Sequence, residues 1–109
     1  MAEPTLQQVF GANAAQNANT LTISKADLSS VGLTVSATNT AESLWVAILL
    51  LAKSHLTDTN LANNADQSIS IVESFDSLVT RNNAQYRQKT YSVNLQKLDN
   101  SSAIDPDDY

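Results

Sequence analysis

Leu44-Trp45-Val46-Ala47-Ile48-Leu49-Leu50-Leu51-Ala52 is an unbroken run of nine apolar residues, and it constrains this chain more than any other feature. On a helix turning 100° per residue, such a run leaves no polar side, and a helix that is apolar all round has to be covered all round. A small two-layer domain covers one face. The run therefore points to a second covering layer and to assembly rather than chemistry. It is less than half of the roughly 20 residues a membrane-spanning helix needs, so insertion into a membrane is not expected.

The flanks of the run read as helix ends. Asn39 suits an N-cap and Glu42 stands three residues on, the spacing of a capping box. Lys53 and His55 fall in the last turns, where positive charge is favourable. Thr57-Asp58-Thr59-Asn60 then ends the element, giving a helix over about 39–56.

Residues 68–97 read as a long β-hairpin. A register in which paired residue numbers sum to 166 sets Ile71 opposite Leu95, Glu73 opposite Val93 and Phe75 opposite Tyr91, with Ser74 and Ser92 on the other face. It leaves a three-residue loop, Asn82-Asn83-Ala84, and Asn tolerates the positive φ such loops use. Ile71, Val72, Phe75, Leu78 and Val79 also fit a helical stripe. The Ser-Ile-Ser-Ile start and the hydroxyl-rich composition of 68–80 favour the strand.

Before the helix, Leu6, Val9 and Phe10 lie on one edge of a short helical turn that Gly11 would close. Residues 12–19 read as a loop or arm, Thr20–Ser24 and Leu33–Ser36 as short strands, and 25–32 as a turn-rich connection. After the hairpin, Asn100-Ser101-Ser102 breaks structure and Ile104 to Tyr109 forms an extended tail. The expected fold is α+β: an antiparallel sheet containing the 68–97 hairpin, packed on the apolar helix, with 1–19 as an N-terminal arm, 20–98 as one domain and 99–109 as an acidic tail.

Composition argues against chemistry. Cysteine is absent, which removes disulfides, thiolate catalysis and Cys-ligated metal sites. Gly11 and Gly32 are the only glycines, so neither a P-loop nor a dinucleotide fingerprint can be written. His55, the one histidine, has Asp58 a turn away but no accompanying nucleophile or oxyanion turn. Asp105, Asp107 and Asp108 lack the spacing, glycine and terminal Glu of a calcium loop. No enzyme, cofactor or metal is expected. The N-terminus lacks the basic and apolar regions of a signal peptide, and an intracellular assembly is the expectation.

Ser, Thr, Asn and Gln make up 41 of 109 residues, against 16% charged residues. Such a surface repels copies of itself weakly. The net charge of −5 is also segregated. Residues 81–97 carry Arg81, Arg87, Lys89 and Lys97 with no acid, and 98–109 carry Asp99, Asp105, Asp107 and Asp108 with no base. Tyr86 and Tyr91 interleave the cations, but a sequence pI near 4.4 and the lack of a broad basic face oppose nucleic-acid binding.

These features together suggest a non-enzymatic structural subunit that associates with copies of itself and with other structural subunits. A virion-type component, such as a phage capsid cement or decoration protein or a tail-tube subunit, is the concrete form. The residues expected at interfaces are Leu6, Phe10, Trp45, Tyr86, Arg87, Lys89, Asp105, Asp107, Asp108 and Tyr109. In such an assembly the acidic tail is expected to meet Arg87 and Lys89, of its own copy or a neighbour's; a plain solubilising tail is the equal alternative. The alternative is a small protein-binding adaptor that uses the hairpin edge or the apolar helix face.

Overall fold

A computed structural model describes residues 2–97 and 104–109, apart from the side chain of Asp108. Helix α1 (Leu6–Phe10) opens the chain, capped by a reciprocal box between Thr5 and Gln8. Gly11 closes it at φ 108°, donating its N–H to the Gln7 carbonyl. Strands β1 (Ala15–Gln16) and β2 (Leu21–Thr22) follow as a miniature antiparallel ladder. Its turn is held by the Asn17 side chain, which accepts from the N–H groups of Asn19 and Thr20. The 12–19 loop of the sequence reading is thus half of a small hairpin. The ladder stops at Thr22 because Ser24 is already the N-cap residue of the next helical turn, α2 (Lys25–Leu28). A 3₁₀ turn, Ser29–Val31, continues it to Gly32.

Leu33–Ser36 is not a strand. The backbone groups that would make a ladder are taken by side chains: Asn39 accepts from the Ser36 N–H and donates to the Thr34 carbonyl, while Lys25 donates to the Ser36 carbonyl. This also corrects the expected cap. With Asn39 committed to its own loop, Thr40 caps helix α3 (Ala41–His55), its hydroxyl accepting from the Ser43 N–H at 3.1 Å. After α3, Thr57 caps a further short helix, α4 (Asp58–Asn63), so 57–60 starts an element rather than ending one.

Strands β3 (Ile69–Arg81) and β4 (Ala84–Leu95) form the long antiparallel hairpin, and the helical alternative for 68–80 is excluded. The register differs from the expected one. Near the base, Ile69 faces Leu95, Ile71 faces Val93 and Glu73 faces Tyr91. Past a bulge between Glu73 and Asp76, the pairs become Asp76 with Lys89, Leu78 with Arg87, Val79 with Tyr86 and Arg81 with Ala84. The loop has two residues, not three. Asn82 (φ 51°) and Asn83 (φ 62°) are both left-handed, as the tight turn matching strand twist requires.

The bulge sets two β3 residues, Ser74 and Phe75, against Thr90 alone. Because side chains alternate with period two, that one extra residue exchanges the faces of everything beyond it. Asp76 and Leu78 come to share a face with Arg87, Lys89 and Tyr91. Val79 and Arg81 turn to the opposite face with Tyr86. An apolar side separates from a mostly polar one only at the hairpin base, where Ile69, Ile71, Tyr91, Val93 and Leu95 lie on one face and Ser70, Ser92 and Asn94, with Val72, on the other.

The fold is α+β, with the hairpin base packed on α3. Ala52, Leu56 and Ile71 form the buried cluster, with Val9, Leu49, Ile69 and Tyr91 packed around it. The Ile71 N–H donates to the Leu56 carbonyl at 2.8 Å, fixing the strand to the end of the helix. Gln67, buried beside this junction, donates to the carbonyls of Thr57 and Ile69. Helix α1 lies on α3, and Asn64 donates to the Ala2 carbonyl at 2.8 Å, so the N-terminal segment is docked on the body.

Candidate assembly surface

Only the root of the hairpin is covered. Ile71 is buried, whereas every residue of β3 from Glu73 to Arg81 and every residue of β4 except Tyr91 is exposed. A strand of 13 residues spans about 40 Å, and the longest dimension of the molecule is 47 Å. The hairpin therefore runs most of the length of the molecule, and most of it carries no second layer. Both of its edges lack strand partners, since the only ladders among the described residues are β1–β2 and β3–β4.

The bare part is not uniformly polar. Phe75, in the bulge, is 83% exposed and Leu78 59%, with Val79, Tyr86, Val93 and Leu95 also open to solvent. Helix α3 repeats the pattern. It buries Ala47 and Ala52 and half-buries Leu44 and Ile48 to Leu51, but Trp45 is 64% exposed and Val46 is exposed beside it. Trp45 is not a core residue beneath the sheet. One chain does not cover its own apolar run.

Charge on the hairpin is organised by the bulge. Lys89 Nζ donates to Asp76 Oδ2 at 3.0 Å, and Arg87 Nη1 lies 3.9 Å from the same oxygen. The hydrogen bond to Asp76, followed by its charge, raises the Lys89 ammonium above its ordinary pKa. Near the tip, the Arg81 guanidinium stacks over Tyr86 at 4.5 Å. Two β4 cations thus share a single carboxylate.

The expected interface residues separate into distinct places. Leu6, Phe10 and Tyr109 meet, lining with Val9, Leu56 and Ile69 a cleft of about 300 Å³ between α1 and the hairpin root. Tyr109 also lies 6.0 Å from Lys97 Nζ. Within the chain, then, this part of the tail sits at the α1 cleft, while Arg87 and Lys89 turn to Asp76. Asp105 accepts from the Asp107 N–H in a turn of its own, and both side chains are exposed. The expected break at Asn100-Ser101-Ser102, Asp99 and the Asp108 side chain lie outside the described residues.

The expected interface residues do not include Asp76, Phe75 or Leu78. The expected register sets Phe75 opposite Tyr91, and a bulge without glycine leaves no signal to correct that. His55 lines a second shallow cleft with Asn60 and Asn64, but Asp58 does not line it. Among the described residues, no group of three or more His, Asp or Glu is placed to hold a metal ion. No helix among them is long and apolar enough to cross a membrane.

No protein-family model, curated protein or solved structure matches this chain.

Proposed function

We infer that this chain is a non-enzymatic structural subunit that associates with copies of itself in a large homo-oligomer. The concrete form is a virion-type component of the capsid-decoration or tail-tube kind. The observation that carries the reading is the bare hairpin. An isolated two-stranded ribbon is marginally stable in water, and it gains stability from a third strand or a packed layer. Here two strands of 13 and 12 residues extend beyond the body with apolar side chains in solvent.

The dimensions of the molecule support this. Its radius of gyration is 16.2 Å, against about 13 Å for a compact domain of this length. Its accessible surface is 7824 Å², against about 5,900 Å² for a folded monomer of this mass. The excess, close to 2,000 Å², exceeds the roughly 800 Å² that each partner contributes to a standard interface. It suits a subunit with neighbours on more than one side.

Light scattering across a concentration series, at low and high salt, tests the reading. The expected result is a discrete species larger than a dimer, or a concentration-dependent polymer. A monomer at every concentration would reject it and leave the adaptor, with the hairpin edge or the Trp45–Val46 face as its contact, as the better account.

A further inference from the structure

The self-association reading leaves open which surfaces meet, and the hairpin's charges discriminate between the ways its edges can pair. The β3 strand carries both hairpin acids, Glu73 and Asp76, and ends in Arg81, which lies on the opposite face with Tyr86, whereas β4 carries Arg87 and Lys89 and no acid. Glu73, Asp76, Arg87 and Lys89 lie on one face because of the bulge. Three edge pairings are available to two copies. A β4–β4 pairing brings four cations together, and a β3–β3 pairing brings four carboxylates together. Like charges directly opposite one another destabilise a ladder, and opposite charges stabilise it. On this face, only β4 of one copy against β3 of the next sets cations against acids. Within one chain a single carboxylate already serves two cations, so β4 has positive charge to share.

We propose that the exposed β4 edge of one copy pairs antiparallel with the exposed β3 edge of a second copy, continuing the two-stranded ribbon into a sheet shared between subunits. Hairpins side by side and pointing the same way satisfy this arrangement, because β4 and the neighbouring β3 then run in opposite directions. At equal height, Lys89 lies between its own Asp76 and that of the neighbour. The straight segment Asp76–Arg81 beyond the bulge supplies the β3 side, and β4 supplies an uninterrupted partner. The strands hold no proline, so no N–H is missing from either edge. Such a contact is heterologous. Repeated, it closes into a ring if the rotation per copy permits and otherwise grows as a filament. It cannot stop at a symmetric dimer.

The inference rests on the self-association reading, and single cysteines distinguish the two. The native chain has no cysteine, so any disulfide reports the engineered positions alone. Ser77 and Gln88 are exposed and stand at the same height of the hairpin. Ser77→Cys and Gln88→Cys variants are made separately, with Thr80→Cys and Gln85→Cys as a second pair to allow for stagger. Each is oxidised alone and in the mixture, with solution mass measured in parallel. The expected result is a disulfide-linked dimer gained only when a β3 variant is mixed with a β4 variant. Disulfide dimers from Gln88→Cys alone or Ser77→Cys alone would overturn the pairing. So would the absence of any cross-link from chains that remain oligomeric, and the self-association reading would survive both results. Monomeric chains without cross-links would overturn both.

Discussion

At the scale of single residues, two positions carry more than their size suggests. Gly11 is held at φ 108°, and a Cβ there would stand 2.6 Å from the Asp27 Cβ and 2.7 Å from its Oδ2. Asp27 cannot simply swing away, because its carboxylate accepts both the backbone and side-chain N–H groups of Asn13, at 2.8 and 2.9 Å. Gly11→Ala combines backbone strain with this clash and should cost about 1–3 kcal/mol, read as a fall in thermal midpoint. An unchanged midpoint would mean that the Asn13–Asp27 loop gives way freely. Lys89 is the second. Its pKa is raised by Asp76, so the pair's contribution is complete below the ordinary lysine value of 10.5 and disappears as pH climbs through the raised value. Measured from about pH 9 to about pH 12, the native chain should lose more stability with rising pH than a Lys89→Met variant. Parallel curves would show that the ion pair contributes nothing.

The hairpin and α3 are held by one small cluster. The hairpin joins the body through its first turn of residues: Ile71 is buried, its N–H is bonded to Leu56, and Ser70 is enclosed beside it. Ile71→Ala opens a cavity in the buried cluster with Ala52 and Leu56 and should cost about 2–5 kcal/mol. Leu78→Ala, 59% exposed in the same strand, should leave the monomer's stability almost unchanged. Chemical denaturation of the two variants under dissociating conditions checks the contrast. Equal losses would mean that the distal ribbon is itself covered. Helix α3 shares that anchor through Ala52 and buries Ala47 as well, while Trp45 and Val46 stay in solvent.

For the whole molecule, the central fact is a small core bearing a long projecting ribbon. Among the described residues, buried hydrophobic side chains are few, and the largest fully buried side chains are Leu28 and Ser70. Apolar side chains that would fill a core in another arrangement lie outside. Phe75→Ser should therefore separate assembly from folding. With 83% of its surface exposed, Phe75 contributes little to the lone chain, and its loss should lower oligomer mass at a fixed concentration while the monomer's circular dichroism stays the same. A variant that unfolds would place Phe75 in the core, contrary to its position in the bulge.

Much of this architecture was legible in the sequence because it depends on neighbours along the chain. Alternation over 68–97 specified a hairpin, the 44–52 run specified a helix that one layer cannot cover, and the shortage of glycine, cysteine and histidine left no motif for chemistry. Leu6, Val9 and Phe10 marked a docking edge at helical spacing, and α1 docks there. The rest depended on competition for backbone hydrogen bonds. Asn39 fits an N-cap by type, but its side chain is spent on Thr34 and Ser36, so the cap passes to Thr40 and the expected 33–36 strand loses its ladder. The bulge was equally hidden, because Ser74 and Phe75 accommodate it without a glycine. Yet it decides which charges meet, since one extra residue in a period-two pattern exchanges the two faces. The chain's own pattern determined which elements form. Only the tertiary structure decided which of their faces the body covers and which remain open to a neighbour.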